Sequence, residues 1–265
     1  MTLLLQDRVA VITGATGALG KATSLAMARA GASIVVHYNR REEEARELIG
    51  KIERLGGCGI PVAADLTRPE EADRLIETAE KHFGRVDILV NNAGITRDCL
   101  LLEMAPEDWE AVLRLNLGGS FNCLRAVAAL MICQRSGSII NVSSVTSYSG
   151  WPGQSNYAAS KAGVDALTRC AATELARFNV RVNSVAPGIL HSEMSEQARR
   201  SLGDRLLQLI PVRRFGTPEE AASVVVFLAS DEASYITGEV VSVKGGLGMG
   251  LPDLKQMYQA IPAKM

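Results

Sequence analysis

The chain has 265 residues, 47% of them hydrophobic and 22% charged, ordinary proportions for a globular protein and unlike those of a disordered one. Lys plus Arg number 28 against 29 Asp plus Glu, a net charge of -1. No basic surplus exists of the kind a nucleic-acid binder carries.

Apolar segments of strand length alternate with segments of helical periodicity. Arg8–Ile12 reads as a strand ending in a Gly-rich turn, and Ala18–Ala30 as a helix stopped by Gly31. Ser33–His37 is a β-branched strand, Arg41–Leu55 a charged helix, Ile60–Ala64 a strand, Pro69–Phe83 a helix and Val86–Val90 a strand. A long helix is predicted over Pro106–Cys133, then a strand over Ser138–Val142, a helix over Asn156–Phe178 and a strand over Val180–Ala186. Pro218–Ala229 reads as a helix and Val240–Val243 as a last strand. The strands are continuous apolar runs, as in a parallel sheet buried on both faces, and βα alternation implies right-handed crossovers. The expected fold is a single α/β, doubly wound domain over residues 1–246, with a C-terminal extension at 247–265. Residues 188–214 are long for an α/β loop and mark a candidate lid, with helical pattern over Ser195–Leu209.

The longest mid-chain apolar run, Ala126–Cys133, is eight residues, where a membrane span needs about 20. The opening MTLLLQDR is too short for a signal peptide and lacks a leading positive charge. Cysteines stand at 58, 99, 123, 133 and 170, an odd number without a CxxC, and are expected as buried free thiols in a reducing, cytoplasmic compartment. His37, His82 and His191 form no zinc signature, so no metal is expected.

The segment VAVITGATGALGKATSLAMA puts Gly14, Gly17 and Gly20 between the first strand and first helix. Glycines there let a backbone approach a pyrophosphate, and the helix N-terminus supplies free amides and partial positive charge. An ordinary βα turn with packing glycines is the plainer alternative. The second strand ends in His37-Tyr38-Asn39-Arg40-Arg41, with no acid before Glu42. An NAD site places a carboxylate at that point for the ribose 2′-hydroxyl; Arg40 or Arg41 instead suits a 2′-phosphate, which favours NADP(H) over NAD(H). Both arginines otherwise merely solvate a helix start.

Tyr157 and Lys161, four apart in YAASK, share one helix face. A cation about 5 Å from a phenol, at an effective dielectric near 20, favours phenolate by roughly 3 kcal/mol, about two pKa units, so Tyr157 is expected as a tuned acid/base. Ser144 follows the strand Ser138–Val142, at the strand end where α/β proteins bind ligands. Asn91-Asn92-Ala93-Gly94 also follows a strand, and Asn116 sits inside the long helix, where a buried amide needs partners.

These motifs in this order resemble the short-chain dehydrogenase/reductase family over nearly the whole chain: the TGATGALG turn, Asp65, NNAG at 91–94, Asn116, Ser144, YxxxK at 157–161 and Pro187-Gly188. The resemblance implies a Rossmann-type sheet of about seven parallel strands that binds NAD(P)H. It implies that Tyr157 gives the proton to the substrate oxygen, that Ser144 hydrogen-bonds that oxygen, and that Lys161 holds the nicotinamide ribose and lowers the tyrosine pKa. Asn116 would hold a water relaying protons to Lys161. Asp65, beside Leu66, would meet the adenine, and Asn91, with Ala93 and Gly94, the adjacent ribose. The turn would bind through Gly14, Thr16, Gly17, Leu19 and Gly20, and the strand end through Asn39 and Arg40. Pro187, Gly188, Leu190 and Ser192 would line the nicotinamide.

NNAGITRDCLL at 91–101 and IPVRRFGTPEEAASVVVFLASDEASYITGE at 210–239 are most similar to β-ketoacyl-ACP reductases, which reduce 3-oxoacyl thioesters with NADPH in fatty-acid or polyketide synthesis. An acidic acyl carrier protein would then meet a basic patch, for which Arg135, Arg169, Arg177 and Arg181 are candidates, and a homotetramer would form through helix faces at 108–133 and 156–178. An alcohol, sugar or steroid dehydrogenase, or a weakly active cofactor-binding subunit, are the alternatives. The chain departs from the family pattern in four places: Ala18 replaces a glycine; Gly17 stands where NADPH reductases often carry Arg or Lys; Lys244 precedes Gly245-Gly246 in place of Asp or Asn; and the tail runs on from Leu247 to Met265.

Overall fold

The structure is a computed structural model that describes residues 4–248. Seven strands run parallel in the order β3-β2-β1-β4-β5-β6-β7. They are β1 (Val9–Ile12), β2 (Ser33–Tyr38), β3 (Gly59–Ala63), β4 (Ile88–Asn91), β5 (Gly137–Val142), β6 (Val180–Pro187) and β7 (Val240–Val243). The pleat explains the continuous apolar runs. Ala10 and Ile12 of β1 enter the core on one face, Val11 the core on the other; Ile34 and Val36 of β2 likewise oppose Val35. On the first face the sheet is covered by α1 (Ala18–Arg29), α2 (Glu42–Arg54) and α8 (Pro218–Ala229), through side chains such as Met27, Leu48 and Val225. On the second it is covered by α3 (Pro69–Phe83), α5 (Ser120–Gln134) and α6 (Ser155–Leu175), through Leu75, Val127 and Leu175.

The chain winds outward from β1 to β3, then returns through α3 to place β4 on the other side of β1. That reversal splays the loops apart at the carboxyl ends of β1 and β4 and opens the crevice where such sheets bind ligands.

Three sequence expectations are corrected. The predicted continuous helix over Pro106–Cys133 is α4 (Pro106–Leu113) and α5 joined by a π-helical turn, Arg114–Gly119, that contains Asn116. The candidate lid is mostly regular: α7 spans Glu193–Leu209, started by Ser192, whose hydroxyl accepts the Ser195 amide. Of the five cysteines, all free, only Cys123 is buried; Cys58, Cys133 and Cys170 are exposed. Their exposed positions on helix surfaces and a loop were hidden by apolar neighbours in sequence. Pro106–Gln134 as a whole is long and apolar enough to cross a membrane, but Val127 and Met131 within it are fully buried against the sheet. Among the described residues no His, Cys, Asp or Glu cluster could hold a metal. The predicted extension lies outside the described residues except for Leu247 and Gly248.

Candidate active site

The glycine turn begins where β1 ends. Gly14 adopts φ +58°, a left-handed conformation that side chains disfavour, and a Cβ there would stand 2.8 Å from Ala93 Cα. A Cβ on Gly20 would run into the Gly14 carbonyl oxygen and lie 2.7 Å from Ala15 Cα. Gly17 differs: its φ is -75° and a Cβ would meet only the Gly14 oxygen, at 3.5 Å. Gly17 is the N-cap of α1, with no side-chain cap and no acidic residue in the first turn. The amides of Ala15 and Gly17 bond to the His37 and Gly14 carbonyls, while those of Thr16, Ala18 and Leu19 have no partner among the described residues. An open, uncapped, uncontested helix N-terminus fits an anion such as a dinucleotide pyrophosphate.

Asn92, which sequence reasoning quoted only as part of NNAG, braces this turn. Its amide nitrogen donates to the Thr13 and Gly14 carbonyls at 2.9 and 3.0 Å. The Thr13 hydroxyl in turn accepts the Asn92 and Ala93 amides at 2.9 and 3.0 Å. The Ala93 amide is therefore committed to the protein itself. Asn91 is fully buried and donates to Asn141 Oδ1 at 2.9 Å, while its own Oδ1 has no partner among the described residues.

At the far end of the crevice Asn39, Arg40 and Arg41 are exposed beyond β2. Arg41 pairs with Glu44 at 3.6 Å and Glu193 at 3.3 Å, so its charge is engaged. Arg40 has no carboxylate partner among the described residues. Asp65 Oδ1 accepts from the Thr67 amide and hydroxyl at 3.0 and 2.8 Å, which fixes the carboxylate at the crevice wall. The Leu66 side chain is buried in the core, and its carbonyl accepts from Asn122, so only its backbone amide remains for a ligand.

The proton-handling groups converge between β5 and α6. Ser144, 8% exposed, follows β5 and takes the Thr146 amide at 3.2 Å. Tyr157 and Lys161 project from α6, with Lys161 Nζ 5.6 Å from the centre of the Tyr157 ring. Lys161 is buried and donates to the Val142 carbonyl at 2.7 Å. A Cβ built on Gly94 would stand 3.1 Å from Asn116 Oδ1 and 3.7 Å from Lys161 Nζ, so NNAG abuts the same cluster. The expected depression of the Tyr157 pKa is not what this geometry gives. Burial of the phenol raises it to about 12, although the Ser144 hydroxyl, close enough to hydrogen-bond it, pulls it down and Asp98 pushes it up further. Burial lowers Lys161 to about 8, with Asp165 acting against it. Desolvation outweighs the charge effect that spacing alone suggested.

Asn116 is held by its neighbours: Oδ1 accepts the Ile95 amide at 2.9 Å, and Nδ2 donates to the Ile95 carbonyl at 3.0 Å and Ser160 Oγ at 3.2 Å. The π-helical turn is what lets its side chain reach Ile95, and such bulges recur at functional sites.

Pro187 closes β6, and Gly188 passes so close to Lys244 that a Cβ would stand 2.9 Å from its Cα. The lid is pinned at its base, where the His191 amide donates to the Gly216 carbonyl and the Gly216 amide to Ile189, both near 3 Å. Beyond the pin α7 buries only Leu206. An apolar pocket of about 230 Å3 sits at this base, lined by Gly188, Ile189, Leu190, Ile210, Val212 and Lys244 among others; neither Ser144 nor Tyr157 lines it. Of the four arginines expected as a basic patch, Arg169 is exposed on α6 and the other three lie away from the crevice. Arg135, Arg177 and Arg181 lie at the amino ends of β5 and β6, the opposite end of the sheet, where Arg135 and Arg177 stack on Phe178 and Arg181 bonds to the Ser230 and Ile236 carbonyls.

Residues 14–248 match a family model described as enoyl-(acyl carrier protein) reductase. Solved structures with this architecture include a putative short-chain alcohol dehydrogenase from Sinorhizobium meliloti, at TM-score 0.90 and 35% identity, covering 95% of this chain and 100% of that one. The chain belongs to the short-chain dehydrogenase/reductase family. A 3-oxoacyl-[acyl-carrier-protein] reductase FabG of Thermotoga maritima is 47% identical over 92% of this chain and 98% of its own length. A 3-oxoacyl-[acyl-carrier-protein] reductase of a Synechocystis species is 48% identical over the same shares. Levodione reductase, at TM-score 0.89 and 32% identity, has the same short-chain dehydrogenase/reductase fold, covering 93% of this chain and 100% of its own.

Proposed function

We propose that this short-chain dehydrogenase/reductase reduces a 3-oxoacyl thioester, carried on an acyl carrier protein, to the 3-hydroxyacyl form, with NADPH preferred over NADH. The observation that carries the reading is the meeting of Ser144, Tyr157 and Lys161 at the carboxyl end of β5, beside an uncapped glycine turn. Relatives named for this reaction, at 47% and 48% identity, support the substrate class. A bound nicotinamide supplies the hydride. Ser144 Oγ donates a hydrogen bond to the substrate carbonyl oxygen and holds it beside Tyr157. The Tyr157 phenol, with its pKa raised to about 12, keeps its proton at neutral pH and gives it to that oxygen as negative charge develops. Lys161 supplies a nearby positive charge and two further N–H groups for the nicotinamide ribose beyond the one given to Val142. Asn116 has its side chain committed, so a relay water would use its main-chain carbonyl, which already accepts the Ser120 hydroxyl and has a second lone pair.

The adenosine end is read as Asp65 on the adenine, Asn91 Oδ1 accepting a ribose hydroxyl and Arg40 on the 2′-phosphate. Residues 188–214 are a lid over the nicotinamide and acyl chain, and the enzyme works in the cytoplasm. A homotetramer is supported by Trp109 and Phe121, exposed apolar side chains on α4 and α5 that a second copy would cover.

Turnover of acetoacetyl thioesters and of small cyclic ketones, each with NADPH and with NADH, tests the reading. The thioester with NADPH should give the highest kcat/KM. A clear preference for the small ketones would replace this substrate class with one nearer to levodione.

A further inference from the structure

His37 has no place in the chemistry above, yet it is 2% exposed near the carboxyl end of β2. It stands on β2, where it faces the glycine turn on one side and the end of β3 on the other. Its Nδ1 lies 2.9 Å from the Gly14 amide nitrogen, and its Nε2 3.0 Å from the Ala64 carbonyl oxygen. The partners decide the ring's state. A backbone amide can only donate, so Nδ1 carries no proton; a carbonyl can only accept, so Nε2 does. Both bonds require the neutral imidazole in that one tautomer.

We propose that His37 is a positioning residue that ties the glycine turn to the Ala64–Asp65 corner and so sets the spacing between the two ends of the dinucleotide site. The tether fixes more than distance. By taking the Gly14 amide, His37 turns that peptide toward the sheet, and its own carbonyl holds the Ala15 amide at 3.0 Å. The turn is left to present the amides of Thr16, Ala18 and Leu19. At the other end the Ala64 carbonyl is fixed one residue before Asp65. Burial lowers the His37 pKa to about 4, so the ring is neutral at neutral pH.

The inference rests on the nicotinamide-cofactor reading and deepens it, and the experiment separates the two. His37→Leu keeps the bulk and removes both hydrogen bonds. His37→Asn puts an acceptor oxygen near the position of Nδ1. Cofactor Kd by NADPH fluorescence, cofactor KM, kcat and Tm are measured for each. The Leu variant should raise Kd and KM for NADPH roughly tenfold or more, the scale of one lost bond to a buried group, with kcat at saturating cofactor within about threefold. The Asn variant should recover most of that loss. A Leu variant that binds like wild type, or an Asn variant no better than Leu, overturns the tether. The wild-type ring is tested independently by its 15N NMR spectrum: a bare Nδ1 and a protonated Nε2 are expected, and the reverse tautomer or a charged ring at neutral pH overturns it. Wild-type protein that bound neither NADPH nor NADH would instead remove the oxidoreductase reading, while the ring spectrum still decided the tether.

Discussion

Tyr157 and Lys161 are four residues apart on one helix, and sequence spacing reads them correctly as a pair. What spacing does not contain is the solvent. Lys161 is buried and Tyr157 half-buried, and desolvation moves each toward its neutral form, the phenol to about 12 and the ammonium to about 8. For a reduction that is useful, since the donor arrives loaded. Tyr157→Phe removes one oxygen and should leave the fold intact, and steady-state turnover should fall by roughly 10²–10⁴-fold, the range for a lost general acid. Near-full activity in that variant would end the assignment. At the other end of the crevice, sequence could not choose between Arg40 and Arg41. The structure separates them, because Arg41 is engaged by Glu44 and Glu193 while Arg40 has no carboxylate partner among the described residues. Arg40→Ala should therefore weaken NADPH more than NADH, by roughly 10-fold, the low end for a charge-assisted bond at an exposed site. Comparing the two cofactors' KM values checks it, and an equal rise for both would assign the phosphate elsewhere. His37 and Asn92 escaped sequence reading for a different reason: their work is to bond backbone, and no residue pattern shows which peptide a buried side chain will meet.

The strands and most helices were legible because the central strands are apolar on both faces and several helices start on a proline or a capping residue. Thr217-Pro218-Glu219-Glu220 is a clear case: the Thr217 hydroxyl takes the Glu220 amide, and the Glu220 carboxylate takes the Thr217 amide at 2.8 Å. The π-helical turn at Arg114–Gly119 was not legible. It adds one residue to a turn to satisfy the Asn116–Ile95 pairing, a tertiary demand that leaves apolar periodicity almost unchanged. Nor was α7 legible over its full length, since it buries only Leu206 and so lacks the stripe that marks a packed helix. That deficiency suits a lid. A helix pinned at Leu190–Gly216 and buried at one side chain opens at low cost. Amide exchange over 189–209 should run faster than in β1, β4 and β5 in the free protein and slow when NADPH is added. Protection equal to those strands without cofactor would make the segment a fixed part of the core.

At the scale of the whole molecule, one buried imidazole links pH to the stability of the entire sheet. His37 bridges β2, the turn after β1 and the end of β3, so its protonation state is a property of the folded chain. Burial is the main cause of its low pKa; the Ala64 hydrogen bond acts weakly against it. The sign follows from linkage. In the unfolded chain the ring titrates at its ordinary value of 6.5; in the folded one it stays neutral until about 4. Between these two values the unfolded chain binds a proton that the folded chain refuses, so unfolding gains as pH falls. Stability is intact above about 6.5 and the loss is complete near pH 4, where a shift of about 2.5 units amounts to about 3 kcal/mol. Glu220, which its hydrogen bond to Arg214 holds down at about 2, titrates below this window, and such groups are common to wild type and a His37→Asn variant and cancel in the difference. Urea unfolding of both proteins at pH 7, 6, 5 and 4.5 isolates the effect. The wild type should lose stability more steeply than the variant below pH 6.5, and the gap between the two curves should change by about 2 kcal/mol by pH 4.5. Curves that stay parallel across that range would mean that the ring accepts a proton as readily in the folded chain as in the unfolded one, and that neither bond depends on its being neutral.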